Sequence, residues 1–107
     1  MRRARVYNNG RFSGILEERS PHEYVFRYDD FYFADSSLPA ISLTLPKNRQ
    51  EFHSRNLFPF FANMLSEGHN RIVQAKIHKL DPEDDFGILL ATAGTDTPGS
   101  ITLTPIE

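Results

Sequence analysis

The chain has 107 residues, the length of one compact domain, and no apolar run approaches the roughly 20 residues that a membrane span requires. A formal net charge of −2 gives no general attraction to nucleic acid, and the absence of cysteine excludes disulfides and thiolate chemistry. The basic N-terminus lacks the apolar segment of a secretory signal, so we expect a cytoplasmic protein with a single domain over 1–107.

Alternating apolar and polar residues predict short strands with one apolar face each. These strands are expected over 3–7, 12–17, 24–28, 41–45 and 101–104. Asn9-Gly10 lies between the first two, and this pair is typical of a tight hairpin turn. Gly14 falls on one face of the second strand, which indicates a bulge or close packing.

Helices are predicted between the fourth strand and the last. Residues 57–65 place their large apolar side chains on one side, with Pro59 in the first turn, where its missing N–H has no helical partner to lose, and Gly68 suits the end of this helix. A weaker helical segment follows over 72–80, and Asp81 is the expected N-cap of a third helix. The residues of that helix expected to face the core are Phe86, Leu89, Leu90 and Ala93. The prediction is an α+β fold: an antiparallel sheet of about five strands with two or three helices inserted before the last strand.

Several short motifs could indicate catalysis, but each has a simpler structural interpretation. The triplet Asp85–Gly87 spells the DFG of protein kinases, yet no glycine-rich loop, strand lysine or HRD segment accompanies it. Asp29-Asp30 suits a turn, the acidic residues 81–85 suit a helix start, and 94–99 suits a helix-to-strand connection rather than a phosphate loop. We therefore expect no enzyme activity.

The remaining polar residues predict neither a metal site nor a bound cofactor. The four histidines, His22, His53, His69 and His78, show no ligand spacing, and His69 is the one of interest because it follows the phenylalanine-rich segment. A minor alternative is a basic hairpin edge that faces phosphates. That edge would consist of Arg2, Arg3, Arg5 and Arg11.

Motifs spread over almost the whole chain carry a family resemblance. They are Asn9-Gly10 with Gly14, Y-x-F-x-Y-D over 24–29, S-L-T-L-P over 42–46, LFPFF-x-N-x-L-x-E-G-x-x-R over 57–71, D-D-F with Leu89-Leu90, and G-x-D-x-x-G over 94–99. In this order they resemble the N-terminal subdomain of HipA-type serine/threonine kinase toxins. One departure is Ser66, which stands where the family usually has proline.

The resemblance implies a function through a partner. The chain stops at Glu107, where such a subdomain would continue into the kinase core, so it looks like the small antitoxin of split systems similar to HipBST. We expect it to bind and neutralise a separate HipA-like kinase toxin, with a HipB-type helix-turn-helix protein completing the complex and DNA contacted only indirectly. Two alternatives stay open: a non-inhibitory structural or folding subunit of the kinase, and a fragment of a longer HipA.

The candidate interface is the polar turn after the phenylalanine-rich helix, which could reach the nucleotide cleft of the kinase and block it sterically. Its candidate contacts are Met64, Ser66, Glu67, His69, Asn70 and Arg71. In the alternative interpretation Glu67 and Arg71, at i and i+4, form a surface ion pair that contributes only about 0.3–0.5 kcal/mol.

Overall fold

The structure is a computed structural model that describes residues 2–65, 76–77, 79, 81, 83–92 and 101–106. Its elements are β1 (Arg2–Asn8), β2 (Arg11–Ser20), β3 (Glu23–Tyr28), α1 (Asp30–Ala34), β4 (Glu51–Ser54), α2 (Pro59–Ala62), α3 (Asp85–Thr92) and β5 (Ile101–Ile106). In the described residues, five strands form one antiparallel sheet in the order β4-β3-β2-β1-β5, and α1, α2 and α3 precede the last strand. The predicted α+β class is therefore confirmed.

The hairpin of β1 and β2 forms as the sequence predicts. Asn9 and Gly10 have φ angles of 52° and 80°, the positive values that a two-residue hairpin turn of this kind requires. Along β2 the register shifts between the Val6–Gly14 and Tyr7–Phe12 pairs, which leaves one extra residue in β2. Both alternatives predicted at Gly14, a bulge and close packing, are present, because a Cβ on Gly14 would lie 2.4 Å from the carbonyl oxygen of Arg27.

One face of the sheet carries the core, and the three helices lie against or beside it. The buried strand residues in this core are Ala4, Val6, Leu16, Tyr24, Phe26, Tyr28, Phe52, Ile101 and Leu103. Phe61 of α2 packs against Phe26 with ring centroids 5.8 Å apart, and Phe86 of α3 packs against Tyr24 at 6.1 Å. No helix in the described part of the chain is long and apolar enough to cross a membrane.

The fourth predicted strand, 41–45, is wrong. These residues form turns, in which the amide of Leu45 donates to the carbonyl of Ser42 and the Ser42 hydroxyl accepts from the amide of Thr44. Local hydrogen bonds between hydroxyls and the backbone thus replace ladder pairing. The fourth strand is instead Glu51–Ser54, which places Phe52 opposite Phe26 of β3.

The phenylalanine-rich helix is shorter than predicted, but its apolar face is correct. The helix α2 covers Pro59–Ala62, with Pro59 in the first turn, and a turn through residues 63 and 64 follows it. Its buried side chains and those beside it are Leu57, Phe58, Phe61 and Leu65. Gly68, the predicted end of the helix, lies outside the described residues, as does most of the segment 72–80.

The third predicted helix begins later than expected. Asp84, not Asp81, is the N-cap of α3: its carbonyl accepts from the amide of Ile88, and its carboxylate accepts from the amide of Gly87 at 3.1 Å. The carboxylate of Asp81 instead accepts from the amide of Glu83 in the preceding turn. On α3, Phe86 and Leu89 are fully buried, Leu90 is half-buried, and Ala93 lies outside the described residues.

Candidate partner-binding surface

The predicted interface turn begins at the edge of the described structure. Met64 is partly buried and packs against the core, directly before the buried Leu65. Five of the six candidate contacts lie outside the described residues: Ser66, Glu67, His69, Asn70 and Arg71. Met64 therefore has both core contacts and an exposed portion, and the interface assignment for the whole turn stays a prediction.

A charged cluster joins the N-terminal strand to α3. The guanidinium of Arg2 donates to both carboxylate oxygens of Asp84, at 2.8 and 2.9 Å, and to one oxygen of Glu18, at 2.6 and 2.9 Å. The second oxygen of Glu18 accepts from the hydroxyl of Tyr24 at 3.0 Å. The cluster is partly buried, and its hydrogen bonds join β1, β2, β3 and the start of α3 at one end of the sheet.

These contacts shift the pKa values of the cluster. The hydrogen bonds from Arg2 hold the pKa of Asp84 below its ordinary value of 3.8. Burial, followed by the bond to Glu18, raises the pKa of Tyr24 to about 12. At neutral pH Asp84 is therefore ionised and Tyr24 protonated, the states in which Asp84 accepts from Arg2 and Tyr24 donates to Glu18.

The kinase-like triplet Asp85–Gly87 has a structural role in this cluster. Phe86 is fully buried, and the guanidinium of Arg2 lies 5.3 Å from the centre of its ring. A Cβ on Gly87 would lie 2.3 Å from the carboxylate of Asp84 and 3.0 Å from the guanidinium of Arg2. Gly87 thus leaves room for the ion pair of Arg2 and Asp84, and the ring of Phe86 lies against the guanidinium of Arg2.

Two further polar groups that could suggest a site, Asp29 and His53, also have local partners. Asp29 caps α1, a helix that the sequence did not predict, by accepting from the amide of Tyr32. His53 lies 2.8 Å from Glu51 on an exposed strand, and this contact lowers the pKa of Glu51. No group of His, Asp and Glu within the described ranges is arranged to hold a metal ion.

The four N-terminal arginines do not share one basic edge. Arg2 faces the helices and is bound to two carboxylates, whereas Arg3 and Arg5 alternate onto the other face of β1 and are exposed. Arg11 is exposed at the start of β2. The strand period of two thus divides the arginines, which weakens the alternative of a phosphate-binding edge.

A long connection between α1 and β4 is held in a defined shape by two stacked tyrosines. The rings of Tyr28 and Tyr32 are 5.9 Å apart and nearly parallel. The hydroxyl of Tyr28 donates to the carbonyl of Leu45 and accepts from the amide of Ile41, and the hydroxyl of Tyr32 donates to the carbonyl of Pro39. The segment 39–47, the 39–47 loop, is therefore anchored at three backbone positions, two by Tyr28 of β3 and one by Tyr32 of α1.

The 39–47 loop exposes Leu43, which a strand over 41–45 would place on the same face as Ile41 and Leu45. Leu43 is 98% exposed, and Phe31 on the neighbouring α1 is 86% exposed. The alternation of Ile41, Leu43 and Leu45 concealed this, because a strand would have put all three on one face. The signal for a turn was the pair of hydroxyl residues Ser42 and Thr44, which bond to each other at 2.9 Å.

Comparison with known proteins places the chain in a family. Residues 4–104 match the family model described as the HipA N-terminal domain. A solved structure, "N-terminal domain of HipA toxin", superposes with a TM-score of 0.71 at 27% identity, over 100% of this chain and 94% of that one.

Three relatives resemble the chain in sequence. "Putative kinase Y4mE" and "Putative kinase Y4dM" of Sinorhizobium fredii are 31% and 33% identical over 94% and 78% of this chain, which spans only 24% and 22% of their lengths. An "Uncharacterized protein" of Haemophilus influenzae is 33% identical over 84% of this chain and 80% of its own length. The chain belongs to the HipA N-terminal domain family.

Proposed function

We propose that this protein is an antitoxin that binds a separate HipA-like serine/threonine kinase and restrains it. The observation that carries the proposal is the difference in length between its relatives. The same domain accounts for about a quarter of the two kinase-named proteins, at 24% and 22%, but for 80% of the Haemophilus influenzae relative. The domain thus occurs both inside kinase-named chains and as most of a small protein, which suits a subunit that associates with a kinase from outside.

The proposed mode of action is steric. The carboxylate of Asp84, directly before the kinase-like triplet, is bound by Arg2 and caps α3, which is a role in the fold. The turn after α2, with Met64, Ser66, Glu67, His69, Asn70 and Arg71 as candidate contacts, is proposed to face the nucleotide cleft of the kinase. A HipB-type helix-turn-helix protein is proposed as a third component that contacts DNA.

Co-expression tests this function. A HipA-like kinase from the same genome is expressed alone, with this protein, and with the Arg71→Glu variant, and growth and recovery of the complex are followed. We expect the kinase alone to arrest growth, the wild-type protein to restore it in a stable complex, and Arg71→Glu to weaken both effects. A matched control is Arg3→Glu, an exposed arginine on the far face of β1, which should behave as wild type.

Different negative results of the co-expression experiment distinguish the antitoxin role from its alternatives. A stable complex that leaves growth arrested would identify a structural or folding subunit of the kinase and contradict the antitoxin role. The absence of any complex would contradict the binding proposal itself. Wild-type behaviour of Arg71→Glu, with rescue intact, would overturn only the assignment of the turn.

A further inference from the structure

The turn between β1 and β2 places an asparagine directly before a glycine. Asn9-Gly10 is the only Asn-Gly pair in the sequence. Both residues are exposed, and their φ angles of 52° and 80° lie in the left-handed region. A Cβ built on Gly10 would have no atom within 4 Å, so the space around this glycine is open. Asparagine is one of the thermolabile residues of proteins, and the setting of Asn9 favours its chemical conversion.

The two groups that react in such a conversion belong to the two residues of this turn. The nucleophile is the backbone nitrogen of Gly10, whose N–H donates no hydrogen bond within the described part of the chain. The electrophile is Cγ, the side-chain amide carbon of Asn9. Because glycine has no side chain, nothing on Gly10 obstructs the approach of its nitrogen to that carbon. A cleft of about 220 Å³, whose lining includes Asn9 and Arg11, borders the turn and gives water access to it.

We propose that Asn9 is a site of spontaneous deamidation. The nitrogen of Gly10 bonds to Cγ of Asn9, the Cγ–Nδ2 bond breaks, and Nδ2 leaves as ammonia with the proton of the Gly10 amide. Water then opens the resulting succinimide ring. Opening at the side-chain carbonyl gives aspartate, and opening at the main-chain carbonyl gives isoaspartate, in which the chain runs through the former side chain. Water is the only other reactant, and the inference does not depend on the proposed antitoxin role.

The fold distinguishes the two products. An Asp-Gly pair suits the same two-residue turn as Asn-Gly, so aspartate at this position leaves the hairpin intact. Isoaspartate instead adds one atom to the main chain between Asn8 and Arg11, the pair at which β1 and β2 meet. Because the length of a hairpin loop fixes the register of its strands, the extra atom disturbs that pair. It also disturbs the hydrogen bond of 3.0 Å from the side chain of Asn8 to the hydroxyl of Tyr32.

The test follows the folded wild-type protein in warm, mildly alkaline buffer by peptide mapping and mass spectrometry. Asn48, Asn56 and Asn63 are internal controls, because they are also exposed but precede arginine, leucine and methionine. We expect Asn9 to convert at least about tenfold faster than any of the three, a difference of roughly 1.4 kcal/mol in activation free energy. The rate should rise with pH, because the attacking nitrogen must lose its proton. Conversion of Asn9 no faster than that of the controls would overturn the proposal.

The variant Gly10→Ala separates the effect of the neighbouring residue from that of flexibility. Alanine at a positive φ weakens the turn, which by itself would speed conversion through more frequent opening of the hairpin. Its Cβ, however, obstructs the attack on Asn9. We therefore expect conversion of Asn9 to slow to the rate of the three control asparagines. An unchanged or faster rate would overturn the role assigned to the glycine nitrogen.

The isolated products test the predicted damage to the hairpin. The isoaspartate form is separated by chromatography, and its thermal unfolding is compared with that of wild type and of Asn9→Asp. We expect Asn9→Asp to melt within about 2 °C of wild type and the isoaspartate form to melt at least about 4 °C lower. Equal melting temperatures of the isoaspartate form and Asn9→Asp would overturn the predicted effect on the hairpin.

Discussion

Arg2 donates two parallel hydrogen bonds to the carboxylate of Asp84, 82 residues later in the chain. The pair fastens the first strand of the sheet to the start of α3, and the same carboxylate caps that helix through the amide of Gly87. One side chain thus performs two tasks, and they can be separated by substitution because an amide can still act as a helix cap whereas an alanine cannot.

Asp84→Asn and Asp84→Ala should differ in stability. The asparagine keeps a side-chain oxygen for the Gly87 amide and loses only the ion pair with Arg2, which is partly exposed, so we expect a cost of less than about 1 kcal/mol. The alanine loses the cap as well, and the expected cost is about 1–2 kcal/mol. Urea unfolding followed by circular dichroism measures both, and equal stabilities would show that the carboxylate does not cap α3.

The ion pair also predicts a pH dependence. The folded-state pKa of Asp84 is lowered from its ordinary value of 3.8, so the unfolded chain takes up the proton first as the pH falls. The stabilisation is complete well above pH 3.8 and is lost as the pH falls through the folded-state pKa. The difference in unfolding free energy between wild type and Asp84→Asn should therefore be constant near neutral pH and shrink below about pH 4. A difference that grows on acidification would contradict the assigned direction.

Gly14→Ala should destabilise the sheet strongly. Its Cβ would lie 2.4 Å from the carbonyl oxygen of Arg27 and 3.0 Å from the ring of Phe26, and the backbone contact cannot move without disturbing the pairing of β2 with β3. We expect a cost of about 1–3 kcal/mol or more. Gly10→Ala is the matched control. Its added Cβ would have no atom within 4 Å, so the expected loss of stability is only that of an alanine at positive φ, about 1 kcal/mol. A larger cost for Gly10→Ala than for Gly14→Ala would contradict the close approach.

Tyr28→Phe should loosen the 39–47 loop. The change leaves the carbonyl of Leu45 and the amide of Ile41 without their buried partner, at an expected cost of about 1–3 kcal/mol. Hydrogen exchange at the Ile41 amide should accelerate, and urea unfolding should report the lost stability. Tyr7→Phe, on the other face of the sheet, is the control and should stay within about 0.5 kcal/mol of wild type. Unchanged exchange at Ile41 would mean that the tyrosine does not hold the loop.

Sequence patterns predicted the elements whose determinants are local. Asn9-Gly10 marked the hairpin because positive φ angles are a property of those two residues, and Pro59 marked the first turn of α2 for a similar reason. The strand predicted over 41–45 failed because a period of two cannot distinguish a ladder from a loop in which Tyr28 anchors Ile41 and Leu45. The shape of the loop depends on a contact from another element.

The same limit applies to the candidate site. The sequence predicted Asp81 as the N-cap, whereas Asp84 accepts from the amide of Gly87 and is also bound by Arg2 of β1. A contact from a residue 82 positions away cannot be read from the local sequence. The exposure of Leu43 was hidden for the same reason, since burial depends on tertiary packing rather than on residue type. The family resemblance, by contrast, rests on motif order along the chain, and the match over residues 4–104 confirms it.

The most direct test of the proposed antitoxin role is the phosphoryl-transfer activity of a purified HipA-like kinase titrated with this protein. Complex formation is followed in parallel in the same samples. We predict that kinase activity falls in proportion to the fraction of kinase bound and is abolished at saturation. Full activity of a kinase that is saturated with this protein would contradict the account.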